Sequence, residues 1–214
     1  MKPVVDPQTS LRRVSDARTI RALAHPVRIA LIELLSIEGP MTATQASERI
    51  GESPTTCSFH LRQLARYGFV EEAGTGPGRN RPWKMTTIGM TAAPSESDGE
   101  ADTALTLLRR LFRERYLGRL QTWDDTRPRY PQEWRDAGNE SQFVMFATPT
   151  EARAVSQEVF SIMMRYRDRL TQPELRPEGA LPVEGLFFLY PLRLPRADRP
   201  GPAGDQTGPQ DDPG

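Results

Sequence analysis

Between residues 16 and 70 the apolar positions recur every three or four residues and are interrupted at short intervals by Pro or Gly. That is the pattern of several brief helices sharing one core. Asp16 is placed to cap a helix running to Ala24, with Ile20, Leu23 and Ala24 on one face. His25-Pro26 interrupts it. Proline fits a first helical turn but not a helix interior, so Pro26 starts a second helix and His25 reads as a capping or turn residue. Val27, Leu31, Leu34 and Leu35 form the buried stripe of that helix, and Gly39-Pro40 ends it. Thr42 with Gln45 makes a capping box for a third helix, which buries Ala46 and Ile50 and stops at Gly51. Ser53 caps a fourth, Pro54 takes its first position, and Gly68 ends it in the left-handed slot.

Alternation then replaces helical spacing. Phe69-Val70 opens a short strand, Gly74-Thr75-Gly76-Pro77-Gly78 is a loop tip, and Arg81 to Thr86 is the return strand, with Trp83 and Met85 on one side. Pro82 makes that strand irregular or an edge. Residues 91–101 are polar and predict a linker. Leu105, Leu108, Phe112, Tyr116, Leu120 and Trp123 predict a long helix over 102–123, and 124–140 a loop with one helical turn. Gln142 to Ala147 predicts a strand, Thr148-Pro149-Thr150-Glu151 a capped helix start, and Val183 to Leu192 a second strand. The expected fold class is α+β: a winged helix-turn-helix domain over 15–90, then a long helix and a small α/β domain over 102–194 for dimerisation or an effector. Residues 1–14 predict a disordered arm and 195–214 a disordered tail.

Composition adds little until it is divided. The 214 residues carry no net charge, yet residues 1–90 hold 12 Lys and Arg against 8 Asp and Glu, and residues 91–214 hold 16 against 20. A basic first part and an acidic remainder fit a DNA-binding domain followed by one that does not touch DNA. Cys57 is the only cysteine, so no disulfide can form within the chain and a reducing compartment is expected. No stretch approaches the roughly 20 apolar residues of a membrane span. Met1-Lys2-Pro3-Val4-Val5-Asp6 holds no apolar run, so no secretory signal is read there, and the expected location is cytoplasmic.

The chemistry sits on the fourth helix. At 100° per residue, Cys57, Leu61, Leu64 and Gly68 fall together, with His60 and Tyr67 at the edge of that group. Thr55, Ser58, Phe59, Arg62, Gln63 and Arg66 take the other side, and no acidic residue occurs from Thr55 to Tyr67. Hydroxyls and Gln63 suit base edges, the Phe59 ring suits a thymine methyl, and Arg62 and Arg66 suit phosphates or a guanine edge. Any amphipathic helix has a solvated face, and that alternative holds for this helix taken alone. A capped helix just before it and a glycine-rich hairpin with Arg79, Arg81 and Lys84 just after it favour DNA. The hairpin reads as a wing for the minor groove or the backbone, against an ordinary loop with scattered charge. The expected DNA-binding set is Thr42, Ser53, Thr55, Thr56, Ser58, Phe59, His60, Arg62, Gln63, Arg66, Arg79, Arg81 and Lys84. His60 divides evenly between a phosphate contact and the edge of the core.

Four pieces of the sequence resemble the ArsR-like winged-helix repressors: Ile20 to Arg28 (Ile-Arg-Ala-Leu-Ala-His-Pro-Val-Arg), Leu31 to Leu35, Thr56 to Leu64 (Thr-Cys-Ser-Phe-His-Leu-Arg-Gln-Leu) and Tyr67 to Glu71. The resemblance spans residues 16–86. It implies a homodimer on a near-palindromic operator, usually as a repressor, with Ser58, Phe59 and His60 near the DNA. The metal-sensing branch carries a cysteine pair where this chain has Thr44-Gln45-Ala46-Ser47, and with two His and one Cys a soft-metal site is not expected; a carboxylate-rich site stays open, and no cofactor is expected. Residues 102–192 lie outside the family pattern and look like the C-terminal extension of some regulators in the group.

The remaining candidates are weaker. Cys57 lies on the apolar face and reads as a packed small hydrophobe before a redox switch. Arg109, Arg110, Arg113, Arg115 and Arg119 either extend the DNA footprint or form a solvated face. Phe143, Phe146, Phe187 and Phe188 either line an effector pocket or pack a small sheet. Two histidines make a hydrolytic triad untenable, and Gly74-x-Gly76-x-Gly78 lacks the spacing and the following helix of a nucleotide loop. The chain is not expected to be an enzyme. An interaction module whose winged helix contacts protein instead of DNA is the competing reading, kept open by the zero net charge.

Overall fold

The computed structural model describes residues 12–74, 81–87, 90–92 and 99–193. The chain divides into two units, residues 1–183 and 184–214. In the first, β1 (Arg12–Val14) leads into α1 (Ala17–Leu23), α2 (Pro26–Glu38), α3 (Ala43–Ile50) and α4 (Pro54–Arg66). β2 (Val70–Glu72), β3 (Trp83–Met85) and β4 (Met90–Ala92) follow, then α5 (Gly99–Thr126), α6 (Gln132–Ala137), α7 (Pro149–Met164) and α8 (Asp168–Thr171). The described part of the second unit, residues 184–193, carries no helix or strand.

The helix starts follow the caps written in the sequence. Asp16 accepts the Thr19 N–H at 2.8 Å. His25 caps α2 through Nδ1, which accepts from Val27 N at 3.2 Å. Thr42 and Gln45 form both bonds of the capping box at the start of α3, and Ser53 accepts from Thr56 N at the start of α4. Gly51 and Gly68 take φ of +75° and +69°, conformations that end α3 and α4 and that a Cβ would strain.

Ile20 and Leu23 of α1, Ile29, Leu31 and Leu35 of α2, Ala46 of α3, and Cys57, Leu61 and Leu64 of α4 are buried together. Phe69, Val70 and Trp83 of the hairpin complete this side of the core. β2 and β3 pair antiparallel, Val70 with Met85 and Glu72 with Trp83, and Met41 bridges to Trp83. Trp83 and Met85 face the core on one side of β3, with Lys84 outward, and Pro82 sits just before the strand.

Three features depart from the sequence reading. The expected arm over 1–14 ends in β1, which pairs in parallel with β4, Arg12 beside Met90, while residues 1–11 lie outside the described set. The expected linker over 91–101 is entered by β4 and left by α5, whose Ala101, Ala104, Leu105 and Leu108 join the same core. The long helix therefore starts as part of the helix-turn-helix body. Glu33 of α2 binds it further along, accepting from Arg115 Nε at 2.8 Å and pairing with Arg119 at 2.9 Å. Those two arginines are therefore engaged within the chain, neither simply solvated nor free for DNA.

The third departure is the C-terminal α/β domain. Gln142–Ala147 and Val183–Leu192 are not strands, and α7 buries none of its residues, although its Thr148–Glu151 capping box forms as expected. An apolar run reports a tendency to be buried, whereas a strand also requires a neighbour to take its backbone N–H and C=O groups. The local pattern supplied the first and could not supply the second. The expected tail over 195–214 lies outside the described residues.

Candidate nucleic-acid interface

Helix α4 presents the division its sequence predicts. Cys57, Leu61 and Leu64 are fully enclosed, and burial raises the Cys57 thiol pKa, as befits a packed hydrophobe. On the opposite side Thr55, Phe59, Arg62 and Arg66 are exposed, and Ser58 and Gln63 are half-buried. Phe59 leaves 50% of its surface in solvent, a large apolar ring on an otherwise polar face. Arg62 and Arg66 enter no ion pair among the described residues, so both guanidiniums are free to meet an external anion.

The N-terminal end of the helix is organised by hydroxyls. Ser53 Oγ lies 2.8 Å from Thr56 Oγ1 and 3.0 Å from Thr56 N, so both side chains serve the cap while remaining near the surface. Thr42 serves the same purpose for α3, its Oγ1 accepting from Gln45 N at 3.2 Å. α3 and α4 pack directly on each other across Gly51-Glu52-Ser53. The first stabilises the second without covering its outer face.

His60 is turned inward. It is only 7% exposed, its ring stands 4.4 Å from that of His25, and its Nδ1 has no hydrogen-bond partner among the described residues. Burial first, and then the interaction with His25 and the positive charge of Arg28, lower its pKa. Its place at the edge of the apolar group on the helical wheel resolves in favour of the core, so it leaves the expected DNA-contacting set.

The hairpin carries fewer free cations than its sequence implies. Arg81 pairs with Glu72 at 2.9 Å, and Lys84 with Glu71 at 3.1 Å, the acidic residues coming from the facing strand. Such exposed pairs are each worth about 0–1 kcal/mol, so exchanging a carboxylate for a phosphate costs little. Arg79 and, apart from Gly74, the expected tip at 74–78 lie outside the described residues.

Sequence reasoning missed Arg12, whose guanidinium lies 4.3 Å from the Phe69 ring centroid and beside Gly68. It also missed the grouping of Arg18, Arg21 and Arg28 near Gln63. No local spacing could have revealed it, because the three arginines come from two helices.

Residues 23–73 match a family model described as a helix-turn-helix domain. The match runs from the end of α1 through the start of the hairpin and contains all of α3 and α4. It supports a DNA-binding regulator in preference to an enzyme. No curated protein matches the chain. Among the described residues, no cluster of His, Cys, Asp and Glu could hold a metal ion, and no helix is long and apolar enough to cross a membrane.

Proposed function

We propose that this chain is a sequence-specific transcriptional regulator that binds double-stranded DNA as a homodimer, in the ArsR-like manner, and represses. The outer face of α4 enters the major groove. Thr55, Ser58, Phe59 and Gln63 meet base edges, Arg62 and Arg66 meet phosphates or guanine, and Thr42, Ser53 and Thr56 lie against the backbone. The hairpin acts as the wing, with Arg79 and Arg81 toward the minor groove and Lys84 on the backbone. The observation that carries this reading is the outer face itself. Two arginines with no ion pair among the described residues follow an exposed phenylalanine along a helix whose other face is locked into the core of a matched helix-turn-helix domain.

Selection of bound fragments from the source genome tests it. Recovery of one recurring near-palindromic sequence supports the reading, and recovery of unrelated fragments with equal affinity removes it. The pairing of Arg81 and Lys84 with Glu72 and Glu71 favours one competitor, a winged helix that contacts protein and not DNA. That competitor predicts no salt-dependent shift with any fragment.

A further inference from the structure

A cleft of about 300 Å³ opens between α1, α2 and α4. Its walls are Arg18, Arg21 and Ala22 from α1, Arg28 from α2, and Gln63 and Tyr67 from α4 and its end. Among the described residues its lining therefore supplies three guanidiniums, an amide and a phenol, and no carboxylate. Its volume is at the small end of ligand-binding cavities.

Among the described residues, the charges in this cleft are poorly answered. Arg21 reaches Glu100 at 3.1 Å, but both side chains are mostly exposed and the pair is weak in water. Arg28 donates from Nη2 to the Arg21 carbonyl at 3.3 Å, and its Nε is buried with no hydrogen-bond partner among the described residues. Neither Arg18 nor Arg28 enters an ion pair among those residues. A buried guanidinium N–H without an acceptor is costly, and a fork of such donors matches the oxygens of a phosphate or carboxylate.

The geometry points to this cleft as the binding site of a small free ligand that carries an oxyanion, of the phosphate or carboxylate class, held chiefly by Arg28 and Arg18. The electrostatics agree. Burial lowers the pKa of Arg28, and after burial itself Arg28 is among the groups that lower the pKa of His25 and His60. An anion beside Arg28 offsets that positive field. Gln63 and Tyr67 belong to the helix proposed to read DNA, so an occupant would bridge it to α1 and α2. The site goes beyond the DNA reading and does not depend on it.

Inorganic phosphate is the probe, applied to the full chain at pH 7.5 in equilibrium dialysis, with chloride balancing ionic strength. Saturable binding of one phosphate per chain is expected. Arg28→Gln and Arg18→Gln should each weaken it by about tenfold, the usual effect of removing one charge-assisted hydrogen bond. Arg109→Gln, on α5 and outside the cleft, should leave it unchanged. Absence of saturable binding, or equal binding by wild type and both cleft variants, overturns the site. If Arg28→Gln loses its cooperative melting transition, Arg18→Gln decides alone, its side chain being exposed. Repeating the dialysis with random-sequence duplex DNA separates the two sources of phosphate. Retained binding supports a free ligand, and displacement by the duplex overturns it in favour of a DNA backbone phosphate.

Discussion

At the scale of single residues, the proposed function and the stability fall on opposite faces of α4. Arg62 and Arg66 are exposed on the outer face with no ion pair among the described residues, so replacing both with alanine should weaken binding to the selected operator while leaving the melting temperature nearly unchanged. For every phosphate that the variant no longer neutralises, the slope of log K against log salt should become shallower by about 0.9, which titration at several salt concentrations would measure. Phe59→Ala should shift sequence preference more than overall affinity, because in the proposed docking its ring meets a base and not the backbone. A double arginine variant that bound like wild type would remove α4 from the groove. On the inner face, burial and then positive neighbours hold His25 and His60 below their ordinary value of 6.5. The unfolded chain titrates near 6.5, so below that pH it takes up protons that the folded chain refuses. The stability contributed by these neutral rings is complete above pH 6.5 and is lost as pH falls toward the folded values. Thermal melts at pH 7.5 and 5.5, a window above the carboxylate range, should show this fall, and His60→Leu should flatten it. An equal fall in that variant would place the effect elsewhere.

At the scale of elements, the joints between helices are set by glycines and caps whose geometry can be tested one at a time. Gly68 has a φ of +69°, and an added Cβ would stand 3.1 Å from Arg12 Nη1. Gly68→Ala should destabilise the domain by about 1–2 kcal/mol, mostly from the left-handed backbone, because the Arg12 tip can swing away. Urea denaturation reads this directly, and a change below a few tenths of a kcal/mol would mean that the turn relaxes. Such joints are also what the sequence displays most clearly. The caps Asp16, His25, Thr42, Ser53 and Thr148, and the stops Gly51 and Gly68, all lie where the residue types place them, because capping is decided within four residues. Pairing is not. β1 and β4 are three residues each, too short for alternation to register, and they meet across most of the domain. The apolar runs at 142–147 and 183–192 failed for the converse reason, since alternation and apolarity cannot show whether a partner strand exists. In the site, the outer face of α4 was legible from helical spacing alone. The inward turn of His60, the ion pairs that occupy Arg81 and Lys84, and the gathering of Arg18, Arg21 and Arg28 were not, because each depends on a residue from another element.

For the whole molecule, the placement of α5 decides how a regulator of this shape could span an operator. Its first turns are built into the helix-turn-helix core, and Glu33 holds its middle through Arg115 and Arg119. Further along, Leu117 leaves 63% of its surface exposed and Leu120 is also exposed, an apolar edge on a helix whose first turns share a core with the proposed DNA-reading element. A second copy meeting this edge would fix the distance between two α4 helices, which is what a palindromic site requires, with half-sites about one helical turn or 34 Å apart. Light scattering should therefore give twice the chain mass, and a Leu117→Glu, Leu120→Glu double variant should run as a monomer with an unchanged circular dichroism spectrum. Joining two readers in one body raises the effective concentration of the second, so the monomeric variant should bind the full operator about 10²–10⁴ times more weakly while binding an isolated half-site as wild type does. If the variant remains dimeric, the subunit contact lies elsewhere. If it is monomeric yet binds the full operator undiminished, the two half-sites are read independently and the palindrome has no counterpart in the protein.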